Sequence, residues 1–375
     1  MSFICPKCGN QDVRFLGIKN GITYCRKCIS FQTKEEDTKE KRNNLEAVLD
    51  LKYPLTQEQK RISDLLIEKA NSNSDILIHA VCGAGKTEIV ANIIYSYLKD
   101  KKRVVFFIPR RDLVIEIGER LKLLFPNTTI SFVYGGHTKD LSGSLVVATT
   151  HQAFRFKNTF NLAIIDEIDA FPYKDDDLLN HFVLQSTKGP IISLSATPSQ
   201  KDKENNEVLT LFKRFHGKPM PLPQVIKASD FYLIKIIFKL LKQYQKEKKP
   251  CFIYVPTIEE GEKLLKLVLH KYKLATFVYS QMPNRNQTLN SIHQGHFTIV
   301  ITTTILERGV TFEKLQVIVY KADHFIFDKS TLLQICGRVG RKASHSEGDI
   351  FFLANKNKKE FSECINEVKS YNENL

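Results

Sequence analysis

No apolar run in the 375-residue sequence approaches the ~18 residues that a membrane-spanning helix needs, which sets aside an integral membrane protein. The opening Met1-Ser2-Phe3-Ile4-Cys5 has neither a basic n-region nor a long apolar h-region, so no secretory leader is expected. A disulfide framework is missing too. Of eight cysteines, four fall in two Cys-x-x-Cys pairs and the rest are scattered singly, which fits a reduced cytosol and a metal site. Acidic charge is the scarcer sign. Against 55 Lys and Arg stand 41 Asp and Glu, giving a formal charge of +14 and a pI near 9.2. Such an excess favours a polyanionic partner, nucleic acid first. The remainder, 42% hydrophobic and 26% charged, is ordinary for a soluble globular protein, and the length allows two or three domains.

The stretch Ala80-Val-Cys-Gly-Ala-Gly-Lys-Thr87 follows the apolar run Ile76-Leu77-Ile78-His79 and leads into Glu88-Ile89-Val90-Ala91. Strand, glycine-rich turn and helix in that order form the setting of a phosphate-binding loop. Gly83, Ala84 and Gly85 let backbone N–H groups close on phosphate oxygens, and the helix N-terminus adds partial positive charge. Lys86 reaches the β- and γ-phosphates, and the Thr87 hydroxyl ligates Mg²⁺. Downstream, Leu162-Ala-Ile-Ile165 runs into Asp166 and Glu167. A carboxylate at such a strand end holds Mg²⁺, and its neighbour activates water for attack on the γ-phosphate. Ser195-Ala-Thr197-Pro198 ends a further strand with two hydroxyls, suited to link the nucleotide site to a nucleic-acid surface. Upstream, Thr56 reads as a helix N-cap with Gln59 completing a capping box. The Gln59 amide also suits the edge of adenine.

Residues 1–33 stand apart. Cys5-Pro-Lys-Cys8 and Cys25-Arg-Lys-Cys28, sixteen residues apart, have the spacing of a four-cysteine zinc ribbon. Zn²⁺ favours the S₄ tetrahedron, and four protein ligands with no open position make the site structural. Rubredoxin-type iron shares the spacing and is the competing metal. Gly9 suits a positive-φ knuckle turn; Ile29, at the matching place, fits it less well. A charged linker or exposed helix follows over 34–52. Strands are expected at Arg103–Ile108, Ile130–Val133, Leu145–Ala148, Leu162–Ile165 and Ile191–Leu194, with a helix over Arg111–Leu124. Residues 213–229, with Gly217, Pro219, Pro221 and Pro223, break the pattern and mark a domain boundary. A second alternating set follows, with strands at Cys251–Val255, Leu274–Val278, Phe297–Ile301, Gln316–Tyr320 and Asp349–Leu353. Helices are expected over Phe231–Tyr244, Glu259–Tyr272 and Arg285–His293. Interleaving of this kind argues for parallel sheets covered on both faces.

The second set has no phosphate loop but carries Gln334-Ile-Cys-Gly-Arg338-Val-Gly-Arg341. Arg338 and Arg341, three apart on an expected helix, would present two planar forks to one anion. Thr302-Thr303-Thr304 through Thr311 ends a strand with hydroxyls and a glycine, donors that can hold a phosphate backbone without reading bases.

In this order the motifs resemble those of a superfamily-two helicase or translocase over about residues 53–355. The resemblance implies an α/β fold: two tandem RecA-like parallel-sheet domains, 53–222 and 223–375, behind the small four-cysteine zinc ribbon (1–33). It implies ATP in the cleft, with Lys86, Thr87 and Asp166 serving phosphate and Mg²⁺, Gly309 also on the nucleotide, and Glu167 orienting water. Gln334, Arg338 and Arg341 would face the γ-phosphate, Arg341 as the finger. Arg110, Thr150, Thr257, Thr303 and Thr304 would hold the strand's backbone. Closer still, the ribbon, Ile165-Asp-Glu-Ile-Asp-Ala-Phe-Pro-Tyr173 and Thr302–Thr311 resemble the ComFA family of late-competence ATPases. That resemblance implies a cytosolic motor peripheral to the inner face of the membrane, acting on single-stranded DNA with ATP, Mg²⁺ and Zn²⁺. Its implied partners are a ComEC-like DNA-uptake channel, a phosphoribosyltransferase-like ComFC-type protein, a recombination mediator of the DprA kind, and a second copy of itself. Competing readings are a DEAD-box RNA-dependent ATPase, a PriA-like duplex helicase, and a scaffold that binds nucleic acid without hydrolysing ATP. The Asp-Glu-Ile-Asp box, and Gln334 in place of a His-Arg opening, depart from the DEAD-box pattern.

Overall fold

The computed structural model describes residues 3–31, 38–43, 45–303 and 312–374. The chain begins with a hairpin, β1 (Leu16–Lys19) against β2 (Ile22–Cys25), antiparallel. The described part of the charged segment is irregular chain rather than helix. The Lys41 N–H donates to Ser142 O (2.9 Å) and the Asp50 N–H to Leu124 O (2.8 Å). The first alternating region follows: α1 (Gln57–Asn71), β3 (Ile76–Ala80), α2 (Lys86–Lys99), β4 (Val104–Ile108), α3 (Arg111–Leu124), β5 (Ile130–Val133) and β6 (Leu145–Thr149). Then come β7 (Leu162–Asp166), α4 (Asp177–Ser186), β8 (Ile191–Ser195), α5 (Gln200–Glu204) and β9 (Glu207–Leu211). Among the described residues these strands form a parallel seven-stranded sheet in the order β5-β6-β4-β7-β8-β3-β9.

The second region holds β10 (Gln224–Lys227), α6 (Asp230–Lys246), β11 (Cys251–Tyr254), α7 (Ile258–Leu269), β12 (Ala275–Val278) and α8 (Arg285–His293). It continues with β13 (Ile299–Thr302), β14 (Gln316–Tyr320), α9 (Lys329–Cys336), β15 (Ile350–Ala354) and α10 (Lys359–Glu373). Its sheet is parallel, in the order β10-β15-β14-β11-β13-β12. The two parallel sheets are RecA-like, as expected. Packing separates the chain at Leu211/Phe212, ahead of the proline-rich stretch, and groups the loop Val81–Gly85 with the second unit.

Local sequence explains these elements. Every residue of β3, β4, β6, β8, β11 and β14 is buried, as strands covered on both faces require. Amphipathic α6 buries Leu233, Ile237, Leu241 and Tyr244, one stripe at spacings of three and four. The start of α1 is fixed by the capping box: the Thr56 hydroxyl accepts from Gln59 N–H (3.3 Å), and Gln59 Oε1 accepts from Thr56 N–H (2.9 Å). Two strands fall where the sequence shows no apolar run. Edge strand β9 alternates exposed and buried positions, and edge strand β10 has no fully buried residue and lies inside the proline-rich boundary. Edges need neither continuous apolarity nor freedom from proline.

Close backbone approach fixes one glycine. A Cβ on Gly189 would lie 1.8 Å from the Asn161 carbonyl oxygen, where the chains entering β7 and β8 meet. Gly189→Ala is expected to destabilise the first unit by about 1–3 kcal/mol. Thermal unfolding checks this; an unshifted midpoint would show that the loop yields freely.

Candidate functional site

Helix α2 begins directly after the loop, at Lys86, so its first-turn N–H groups have no intrahelical partners. Gly83 and Gly85 take φ of +86° and +79°, the left-handed region that bars most side chains. Ala84 between them is buried, and its N–H donates to Val81 O (3.1 Å). The loop thus has the conformation an oxyanion cradle needs.

Within the first unit, the structure brings Lys86 and Asp166 together. Lys86 Nζ lies 3.8 Å from Asp166 Oδ1, both side chains mostly buried, with Asp166 the last residue of β7. That separation is longer than a hydrogen bond but holds opposite charges where a phosphate and a divalent cation would enter. Thr87 is buried one residue on. Glu167 adopts φ +58°, rare for a residue with a Cβ, and its N–H donates to Asp166 Oδ1 (2.9 Å). Strain of this kind concentrates at functional turns. A cation, a carboxylate and a hydroxyl gathered beside the glycine loop have the chemistry that ATP with Mg²⁺ requires.

Asp169 received no role from the sequence, yet the structure makes it a hub. Its two carboxylate oxygens accept from the Ser195 and Thr197 hydroxyls, each at 2.7 Å, and Ser195 Oγ accepts from the Thr197 N–H (2.9 Å). The hydroxyls expected to link surfaces therefore bind the acidic box itself. A buried carboxylate three residues past Asp166 was the available signal.

In the second unit, Gln334 is buried on α9, which Asp328 caps by accepting from Thr331 N–H (2.7 Å). The arginines are not on a helix, contrary to expectation. Helix α9 ends at Cys336, and Arg338 and Arg341 follow in a turn. Gly340 keeps helix from reaching Arg341: its φ is +67°, and a Cβ there would lie 2.1 Å from Ser346 O. Arg338 is buried, while Arg341 is half-buried and donates from Nε to Gly337 O (2.9 Å).

The backbone-holding candidates occupy equivalent positions in their own sheets: Arg110 and Thr150 in the first unit, and Thr257 and Thr303 in the second, each follow the carboxyl end of a parallel strand, the edge where ligands of such sheets bind. Their side chains differ in availability. Arg110 pairs with Asp112 (2.7 Å). Thr257 is an exposed N-cap accepting from Glu260 N–H (3.2 Å), and Thr303 is half-buried. Thr150 is 0% exposed, and its Oγ1 lacks a hydrogen-bond partner among the described residues. Thr304 and Gly309, with the rest of 304–311, lie outside the described residues.

The four cysteines converge. Their sulfurs lie within 4.8 Å of one another, with Cys5–Cys28 and Cys8–Cys25 each at 3.7 Å. A tetrahedron with Zn–S bonds of about 2.3 Å has edges of about 3.8 Å, so the donor set fits zinc, and these separations are far beyond a disulfide's. Burial pushes the Cys8 thiol up to about 11 and raises Cys28 further; a dication at the centre would offset that cost to the thiolates. Gly9 takes φ +67°, as its knuckle position suggested. Unforeseen is how the ribbon sits. Its cysteines belong to the first unit's core with Phe156, Leu179 and Phe182, and the His181 ring lies against Gly9. Phe31 packs against Phe154, Phe182 and His151, with centroids at 5.4, 5.2 and 6.4 Å.

Residues 52–200 match the family described as the type III restriction enzyme res subunit, and 232–343 the helicase conserved C-terminal domain. Over 98% of its length the chain is 34% identical to competence protein ComFA of Streptococcus pneumoniae (strain ATCC BAA-255 / R6), spanning 90% of that protein. Against competence protein ComFA of Bacillus subtilis (strain 168) the figures are 32% identity, 98% and 85%. It is also 28% identical, over 54% of its length, to 35% of the replication restart protein PriA of Rickettsia felis. In fold it is similar to S. cerevisiae Dbp5 bound to RNA and ADP BeF3, with TM-score 0.65, 14% identity and coverage of 86% and 92% of the two chains.

Because the ribbon shares the first unit's core, chelating its metal is expected to lower the thermal midpoint of that unit, and Cys25→Ser to do likewise. Metal loss with an unchanged midpoint would make the ribbon an independent appendage.

Proposed function

The chain belongs to the ComFA family of competence proteins and is an ATP-dependent, helicase-like enzyme, and we propose that its ATP hydrolysis moves it along single-stranded DNA to drive uptake of transforming DNA. The observation that carries this reading is the Lys86–Asp166 pair beside the strained Glu167, charge-bearing groups poised at a strand end. Lys86, with the glycine loop formed by Gly83, Ala84 and Gly85, holds the phosphates. Thr87 and Asp166 would hold Mg²⁺, which would supply positive charge to offset that of the transferred phosphoryl group. Glu167 orients the attacking water, and the Gln59 amide meets adenine. From the second unit, Gln334, Arg338 and Arg341 act on the γ-phosphate, Arg341 supplying the charge that stabilises transfer.

Arg110, Thr150, Thr257, Thr303 and Thr304 grip the phosphate backbone, with little sequence preference and a strong dependence on salt. The net charge of +14 supports a polyanionic track. Among the described residues no helix is long and apolar enough to cross a membrane. Membership of the competence family supports the further reading that the motor works as a peripheral partner of a membrane DNA channel, with a phosphoribosyltransferase-like competence protein beside it.

ATP turnover measured alone, with single-stranded DNA, with duplex DNA and with RNA tests the reading. Stimulation is expected chiefly from single-stranded DNA. Lys86→Ala is expected to abolish turnover, and Arg341→Ala to lower it by roughly 10³-fold. Stimulation by RNA alone would sink the DNA-uptake reading, and full activity in Arg341→Ala would remove that residue's role.

A further inference from the structure

Arg214 lies in Lys213-Arg-Phe-His216, a stretch without periodic pattern, and is only 3% exposed. A guanidinium carries five N–H groups. Two are engaged: Nη1 donates to Val339 O (3.0 Å) and Gly340 O (2.9 Å), in the turn that precedes Arg341. Nε and Nη2, which carry the other three, are buried with no hydrogen-bond partner among the described residues. Among the described residues the charges and thiols that influence it are Cys82, Arg341 and Cys336, with no carboxylate. Burial, with Arg341 adding repulsion, lowers its pKa to about 10, so at neutral pH it still carries its charge.

A buried, unpaired cation facing another cation is costly, and buried unsatisfied donors are uncommon in native proteins. An oxyanion would satisfy the fork and the charge together. The surroundings indicate which one. Phe215 N–H donates to Gly83 O (3.2 Å), and the Arg214 Cγ lies 3.9 Å from where a Gly83 Cβ would stand, so Arg214 adjoins the glycine loop Val81–Gly85 in the same packed unit. The neighbouring side chain completes a rigid mount. His216 Nδ1 accepts from Lys218 N–H (3.1 Å), which leaves Nε2 to donate to Gly340 O (3.0 Å).

We propose that Arg214 is a further phosphate-binding residue, whose Nε and Nη2 engage a phosphate oxygen of the nucleotide held at the glycine loop while its Nη1 holds the turn that presents Arg341. The proposal rests on the reading of that loop as a nucleotide site.

The test is equilibrium binding of a non-hydrolysable ATP analogue and of ADP, both with Mg²⁺, to the full chain and to Arg214→Gln and Arg214→Lys. Thermal midpoints without nucleotide and steady-state ATP turnover are recorded alongside. Arg214→Gln is expected to bind the ATP analogue roughly tenfold more weakly or worse. Arg214→Lys keeps the charge but loses the two-pronged fork. It is expected to fold with an unshifted midpoint, bind about fivefold more weakly and show a raised KM. A Lys variant with the unmodified chain's affinity and KM overturns the proposal, as does a Gln variant that loses only thermal stability. If the unmodified chain binds neither nucleotide, the reading of the glycine loop fails, and Arg214's role with it. If the unmodified chain binds and the variants bind equally, only the role of Arg214 fails.

Discussion

Strands buried on both faces leave the chain little room for polar groups except at their ends. Both sheets obey this constraint, with β4, β6, β11 and β14 lacking any exposed residue. A parallel arrangement brings all carboxyl ends to one edge, so the loops that leave them become neighbours without being neighbours in sequence. Asp166 after the apolar body of β7, Thr150 after β6, Thr257 after β11 and Thr303 after β13 follow from that rule. In each sheet the chemistry gathers at the carboxyl edge because the core admits little of it elsewhere.

That edge is cross-linked by its own polar groups. Asp169 holds Ser195 and Thr197 through both carboxylate oxygens, tying the loop after β7 to the loop after β8. A shift in the acidic box is thereby felt at two hydroxyls more than twenty residues away in sequence. Such satisfied buried networks tend to move as one piece or not at all. In the second unit the equivalent rigidity comes from backbone carbonyls: Arg214 and His216 both donate to Gly340 O, and the glycine's own conformation excludes a side chain.

Much of this was legible in the sequence where chemistry and chain contiguity coincide. Ala80–Thr87, the Asp166-Glu167 pair and the Cys-x-x-Cys knuckles are short motifs whose residue types state their purpose, and central strands announce themselves as unbroken apolar runs. Legibility fails for three physical reasons. Edge strands β9 and β10 bury too little to produce a run. Helical spacing between Arg338 and Arg341 overlooks Gly337, which caps α9 before either arginine, and Gly340, whose positive φ breaks the chain between them. Contacts over long separations leave no local trace: Phe31 meets His151, and Arg214 meets Val339, across more than a hundred residues.

The ribbon's place in the first unit's core has one more consequence. Phe154 and Phe182 are covered by Phe31 and the knuckles, and Lys7 donates to Phe31 O while lying over the Phe154 ring. A chain whose ribbon is unformed leaves that surface uncovered. It would carry an aromatic scar open to other half-made chains. The cysteine cluster and the shielding of that aromatic surface are thus set together.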